Sequence, residues 1–293
     1  MQAPGPPTTD RPGRRPARPP ARAWSRPAAS GGPKPFAARA RYALRALQPG
    51  PAFPRSSSPE YSFPPAVARR LAARGHDLVL TARREERLKA LATELSEAHG
   101  TATVAVALDL ERTDELSDAL TDVLATLPGP LAGAVLAAGH GRGHGPVREA
   151  DGAAWESQLR VNLLAPMIVT RRLLPELDAT GGDLVLIGSL FGTRPSPGYA
   201  AYAATKHGLA GFVRSLAEED RPAGGCRISP GATNTEFASV LAGAATPRVH
   251  QVTDWPYHPL LAEDVAAAVE WAMSRPGHAR VAELTIDPTD ARY

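Results

Sequence analysis

The 293-residue sequence has one cysteine, Cys226, and three lysines, Lys34, Lys89 and Lys206. A lone cysteine excludes a disulfide framework and any cysteine-built metal site, and it fits a reducing, cytoplasmic compartment. No apolar run reaches the roughly 20 residues of a membrane-spanning helix, so no membrane segment is expected. Internal repeats are absent. Metal spacing is missing as well: His140, His144, His207, His250 and His258 show no pairing with an acid at metal-ligand spacing, so they read as surface or loop residues and no metal is expected.

The formal net charge of +3 conceals an asymmetry. Residues 1–59 hold ten arginines, one lysine and a single acid, Asp10, while the remaining 234 residues carry −7. The basic balance belongs to the leader and gives no reason to expect nucleic acid as a partner. That leader also holds fourteen of the thirty prolines. Residues 1–58 therefore read as a disordered Pro/Arg-rich segment, in which only Phe36–Leu47 could form a short basic helix. An Arg-rich, acid-poor leader can be a transit peptide, although its prolines spoil an amphipathic targeting helix; a plain disordered tail and a leader not native to the domain are the other readings.

From residue 59 onward the pattern is that of one folded domain. Ala66–Arg74 reads as a helix closed by Gly75, and His76–Thr81 as a strand. Arg84–His99 is a helix closed by Gly100, and Thr101–Leu108 a strand ending at Asp109. Thr113–Leu127 is a helix with Thr113 as its N-cap. Leu131–Ala138 is a strand leading into a Gly/His loop at Gly139–Gly145. Ala153–Leu177 reads as one long helix containing Asn162. The run Asp183–Gly188 is a buried strand, and the helix carrying Tyr202 continues to about Glu219. Ile228–Gly231 is a short strand and turn, Glu263–Met273 a helix and Val281–Ile286 a last strand. Strands alternating with helices of this length imply an α/β fold, a Rossmann-like doubly wound parallel sheet.

One stretch carries chemistry. Ser189 ends a buried strand, Tyr202 follows thirteen residues later, and Lys206 stands four beyond it. On a helix, Tyr202 and Lys206 lie on one face a turn apart. A phenol has an ordinary pKa of roughly 10, and a neighbouring ammonium favours the phenolate, so the pair suits acid–base work near neutrality. A hydroxyl at a strand's C-terminal end reaches the crevice where ligands bind in such sheets.

With Asn162 on the preceding helix, these residues resemble the classical short-chain dehydrogenase/reductase family over about residues 65–293. The resemblance implies hydride transfer between a nicotinamide and a small carbonyl or alcohol substrate. It makes Tyr202 the proton donor, Lys206 the group that lowers its pKa and bonds the nicotinamide ribose, Ser189 the holder of the substrate oxygen, and Asn162 the support of a water-linked proton path. Asp109 matches the family's aspartate at the adenine. Leu136-Ala-Ala-Gly139 stands where the family has Asn-Asn-Ala-Gly, and Ala138 and Gly139 still allow close backbone approach. Pro230, Gly231 and Thr235 match its Pro-Gly-x-x-x-Thr beside the nicotinamide. Thr235–Pro259, with Trp255 and Tyr257, falls in its variable substrate loop. After the second strand, Arg83 and Arg84 offer forked donors to a 2′-phosphate where an NAD-preferring fold places an acid, so NADP is the expected cofactor. The resemblance leaves room for a homo-oligomer.

Two departures stand against it. The family opens with a buried strand and Thr-Gly-x-x-x-Gly-x-Gly; here the glycine positions fall at Ser58, Ser62 and Pro64. The stretch before them, Pro49–Arg55, is too rich in proline for a central strand. The first strand is thus expected to be degenerate or missing, leaving the second and fourth strands without their shared neighbour and the chain as written marginally stable and weak in NADPH binding. The second departure is the stretch Gly225–Ser229, about three residues short of a full sixth strand. Beside an NADP-dependent reductase, the alternatives are an impaired relative that survives as a binding domain and a mis-started reading frame.

Overall fold

The computed structural model describes Arg41–Arg45 and residues 63–291, apart from 128, 195, 220–221, 223, 236, 238–255 and 277. Contacts divide the chain into residues 1–38, all outside the described residues, and residues 39–293, which carry everything that follows.

In chain order the elements are β1 (Arg41–Arg45), α1 (Phe63–Ala73), β2 (Asp77–Ala82), α2 (Glu85–His99), β3 (Thr103–Ala107), α3 (Leu116–Ala125), β4 (Gly133–Leu136), α4 (Gly152–Leu159), α5 (Ala165–Thr180), β5 (Asp183–Ile187), α6 (Ala200–Ala217), β6 (Gly224–Pro230), α7 (Ala262–Met273) and β7 (Glu283–Ile286). The seven strands form one sheet in the order β3-β2-β1-β4-β5-β6-β7, and every pairing is parallel. This is the Rossmann-like doubly wound arrangement expected from the sequence.

Alternation along the buried strands sorts the core onto two faces. Val185, Ile187, Cys226 and Ile228 join residues of α1, α2 and α7 in one cluster. Leu184 and Leu186 join α3, α5 and α6 in the other. A parallel sheet covered on both faces buries its strands completely, which is why Asp183–Ile187 reads as a continuous apolar run.

The front of the sheet corrects the expectation. Over Arg41–Arg45, the stretch read as a short basic helix is instead β1; the rest of Phe36–Leu47 lies outside the described residues. Degenerate in composition, β1 still occupies the centre of the sheet, with Ala43 aligned to Val79 of β2 and to Ala134 of β4. The second and fourth strands therefore do have their shared neighbour. Of its residues only Tyr42 is a strong strand former, but pairing on both sides outweighs propensity, which is weak and context-dependent in sheets. The Ser58 and Ser62 positions of the expected glycine turn lie outside the described residues. Pro64 lies within α1, whose described start is Phe63.

Two further boundaries differ. β6 is not shortened: it runs seven residues, pairing with β5 from Gly224 to Ile228 and with β7 from Arg227 to Pro230. A side chain at Gly224, its first residue, would crowd Asp183, whose Oδ1 would lie 3.1 Å from the added carbon. The helix expected to start at a Thr113 cap begins instead at Leu116, with Glu115 in the cap position and no side-chain cap bond.

Candidate active site

The long helix expected over Ala153–Leu177 is broken at its centre. Between α4 and α5 lies a π-helical segment, Arg160–Leu164, where the Ala165 N–H reaches back to the Arg160 carbonyl. Pro166 has no N–H to give to the carbonyl of Asn162, so the α register cannot be kept across this point. The bulge sets Asn162 fully buried against the loop after β4. Its Oδ1 accepts from the His140 N–H (2.9 Å), and its Nδ2 donates to the His140 carbonyl (2.7 Å) and to Thr205 Oγ1 (3.4 Å). The amide thus clasps the main chain just beyond Gly139 in both directions and ties it to α6. Gly139 leaves room for this clasp, since a β-carbon would stand 3.1 Å from Asn162 Oδ1 and press on it.

Ser189 caps a short 3-10 turn, Leu190–Gly192, and its Oγ accepts from the Phe191 N–H at 3.2 Å. Gly192 lets that turn rest on α6, because a β-carbon there would come within 2.9 Å of the Lys206 carbonyl. Tyr202 and Lys206 do share one face of α6, as their spacing implies, and both are buried. Lys206 Nζ donates to the Ile187 carbonyl at 3.0 Å and lies 5.7 Å from the centre of the Tyr202 ring.

Burial dominates the electrostatics of the pair. It holds the Tyr202 phenol above the ordinary tyrosine range, with the Ser189 hydroxyl pulling the other way. It also lowers Lys206 to about 8, helped by the Arg227 guanidinium. This corrects the expectation that Lys206 brings the phenol down: desolvation holds it up, and the group that lowers it is the Ser189 hydroxyl. The phenol keeps its proton at neutral pH, and burial makes it a weaker acid than one tuned toward neutrality.

One cavity of about 460 Å³ gathers these groups. Ser189, Tyr202, Lys206, Gly139, Pro230, Gly231 and Thr235 all line it. It opens beyond the carboxyl ends of β4, β5 and β6, the crevice where doubly wound sheets bind ligands. Asn162 is not among its lining residues, and neither is Ala138, although its neighbour Ala137 is. Arg83, Arg84 and Asp109 stand elsewhere, just after the carboxyl ends of β2 and β3. Asp109 Oδ1 accepts from the Glu111 N–H at 3.0 Å, within its own turn. Arg84 takes the N-cap position of α2.

The chain is also similar to known proteins. A family model described as short chain dehydrogenase matches residues 63–243. The chain belongs to the short-chain dehydrogenase family. Sulfoacetaldehyde reductase 2 of Chromohalobacter salexigens is 34% identical over 235 residues, 78% of this chain and 90% of that protein. Serine 3-dehydrogenase of Agrobacterium fabrum is 32% identical over 239 residues, 79% of this chain and 91% of that one. Among solved structures, the closed form of a serine dehydrogenase complexed with NADP+ superposes with a TM-score of 0.73 at 26% identity, covering 86% of this chain and 96% of that chain. As a short-chain dehydrogenase, the protein is an oxidoreductase by kinship. No described helix is long and apolar enough to cross a membrane.

Several residues around the site escaped the sequence reading. Glu111 stands 3.8 Å from Arg83, so an acid does lie beside the arginine pair, contributed by the turn after β3. Two residues beyond Asp109, it carried no local signal linking it to Arg83. His140, read as a surface or loop residue, is buried in its loop; its Nε2 lies 3.0 Å from Ser157 Oγ, which donates to Glu111, and burial pulls the ring down to about 4. Phe191, Tyr199, His144 and Phe237 line the cavity with the expected Tyr257. Trp255 and His250 lie outside the described residues.

Proposed function

We propose that this chain is an NADP-dependent reductase of a small carbonyl compound, working through Ser189, Tyr202 and Lys206. The observation that carries the reading is the single cavity in which those three side chains meet the main chain at the end of β6.

The residues present fit a nicotinamide dinucleotide. Gly139 and Gly231 offer main chain without bulk along the cavity, beside Pro230, and Lys206 offers donors for a ribose. At the far end of the sheet, the half-exposed Arg83 and its neighbour Arg84 supply the forked, permanently charged donors that suit a 2′-phosphate. Asp109 stands in the turn after β3 for the adenine. When bound, NADPH supplies the hydride. The chain's own groups do the rest. Ser189 holds the substrate oxygen, and Tyr202 delivers its proton to that oxygen as negative charge develops on it. Lys206, charged below about 8, stabilises the phenolate that remains. Asn162 acts through position: its amide fixes the loop at His140 and thereby the main chain at Gly139.

The solved relative in complex with NADP+ supports the choice of cofactor. The rival reading, a relative unable to hold cofactor, rested on a missing strand and a missing glycine turn, and β1 at the centre of the sheet removes the first of these supports. The lone cysteine continues to favour a cytoplasmic setting. Two measurements on the purified chain test the reading: equilibrium binding of NADPH against NADH, and loss of NADPH absorbance with a panel of aldehydes and ketones. Tight NADPH binding with carbonyl-dependent consumption is expected. A folded protein that binds neither cofactor would overturn it.

A further inference from the structure

We propose that the carbonyl substrate is uncharged and carries an aryl or similarly flat apolar group, and that it is not a sulfonate, carboxylate or amino acid. This rests on the reductase reading above. In the reaction the carbonyl carbon gains a hydride from the dihydronicotinamide, its oxygen gains the Tyr202 proton, and an alcohol and NADP+ result.

The wall of the cavity is a connected set of rings. Phe191 meets the Tyr199 ring at 5.1 Å and the Tyr202 ring edge-on at 6.0 Å, and Phe237 meets Tyr202 at 5.5 Å. His144 lies nearly parallel to Tyr199, with centres 5.7 Å apart and 16° between planes. The proton donor is therefore itself one member of an aromatic cluster, and any group beside the reacting carbonyl must pack on these rings.

The backbone shows how the cluster is held. The Gly145 N–H donates to the Gly198 carbonyl at 2.8 Å, joining the loop after β4 to the loop before α6. Gly198 has a φ of 80° and Gly145 one of 146°, both in the region that favours glycine. At Gly143, φ is 74° and an added β-carbon would stand only 2.6 Å from that of Ala154. Glycines on both sides of His144 let its ring reach Tyr199. The glycine-rich run Gly139–Gly145 thus has a use beyond its nearness to the cofactor: it builds one side of a flat slot.

Among the described lining residues, Lys206 carries the one formal charge. There is no aspartate, glutamate or arginine among them, and Lys206 is engaged with the Ile187 carbonyl. An anionic group packed on these rings, away from Lys206, would lose its hydration without gaining a described partner, and ring faces are themselves electron-rich. The two relatives above are named for sulfoacetaldehyde and for serine, both ionic at neutral pH. This chain shares their family but presents rings where such substrates call for a counter-charge.

The test offers the full 293-residue chain, with NADPH, three carbonyls in parallel: acetophenone, propanal and sulfoacetaldehyde. Saturation-transfer NMR reports acetophenone binding independently of turnover. The expected result is a kcat/KM for acetophenone exceeding that for sulfoacetaldehyde by about 100-fold, and an acetophenone-to-propanal ratio that falls about tenfold in Phe191→Ala and in Phe237→Ala. Preference for sulfoacetaldehyde, or a ratio unmoved in both variants, would overturn the proposal. The two readings also separate. Acetophenone that binds the parent, binds Phe191→Ala less, and is never reduced would sink the reductase reading and leave the slot standing. Reduction of sulfoacetaldehyde with neither binding nor reduction of acetophenone would do the reverse.

Discussion

The two halves of the sheet carry their chemistry in different ways. Beyond β4, β5 and β6 the site is made of side chains: a hydroxyl at Ser189, a phenol at Tyr202 and an ammonium at Lys206, brought into one cavity. Beyond β1 the family's phosphate site depends on main-chain N–H groups and on glycines that let a ligand come close. Side-chain chemistry demands particular residues at particular intervals, so it survives as a readable pattern. Backbone geometry can be supplied by many sequences, so its traces are weaker. The same contrast recurs within the better-marked half, where Asn162 was legible by type and place but the π segment that aims it was not.

The largest expected effect concerns the centre of the sheet. Ala43→Pro should remove a ladder donor from a strand paired on both sides and introduce a ring that such a strand cannot hold. A cost of about 3 kcal/mol or more, against a total of roughly 5–15, should abolish cooperative thermal unfolding or lower Tm sharply by circular dichroism. An unchanged melt would mean that β1 does not hold the two halves together. Next in size is Tyr202→Phe, which keeps the ring packing and removes the proton. Turnover should fall by about 10²–10⁴-fold while the melting curve stays in place. Tyr199→Phe should raise KM rather than abolish kcat, because Tyr199 belongs to the wall and lacks the lysine one turn further on. The opposite outcome would exchange the roles of the two tyrosines.

Much of this was legible beforehand, and the misses have physical causes. The strand and helix alternation from Ala66 to Ile286 followed from apolar runs, glycine stops and period. β1 did not, because Phe36–Leu47 is made of good helix formers and a helical reading satisfies every local rule; only the two flanking strands decide otherwise. β6 looked short because glycine is a poor strand former, yet Gly224 is the residue that fits beside Asp183. The proposed trio of Ser189, Tyr202 and Lys206 was legible from spacing taken together with the strand-end place of Ser189, the helical context and Asn162. Glu111 and Arg227 were not, since each acts on a residue of another segment, Arg83 in the first case and Lys206 in the second.

A third prediction sharpens the comparison at the cofactor's far end. Arg83→Ala should weaken NADPH binding by about 10–100-fold and leave NADH nearly unaffected, since a charge-assisted phosphate contact is worth about 1.5–3 kcal/mol. Glu111→Gln should act in the opposite sense. It removes the carboxylate 3.8 Å from Arg83, a partly exposed pair whose strength is at most about 1 kcal/mol, so NADPH should bind up to about fivefold tighter. Equal affinity of the parent chain for the two cofactors would defeat both expectations.

The smallest effect lies beneath the catalytic pair. Arg227 comes from β6, is 2% exposed, and donates to Ser229 Oγ at 2.8 Å and to Glu283 at 3.0 Å. Glu283 also takes Arg214, so the buried guanidinium ends a short charge ladder running in from the surface. Its positive charge reinforces what burial already does to Lys206, which stands at about 8. The sign follows directly. Lys206 is an ammonium below that pH and loses its charge as pH rises through it, so carbonyl reduction should hold level at neutrality and decline on the alkaline side. Arg227→Met removes the repelling charge and should move that decline upward, by less than about one pH unit because burial is the larger cause. The Glu283–Arg214 pair remains to limit the damage. The pH profile of kcat/KM in both proteins is the measurement. An alkaline limb that stays where it was in a folded, active Arg227→Met enzyme would show that the limb does not belong to Lys206 or that Arg227 does not influence it.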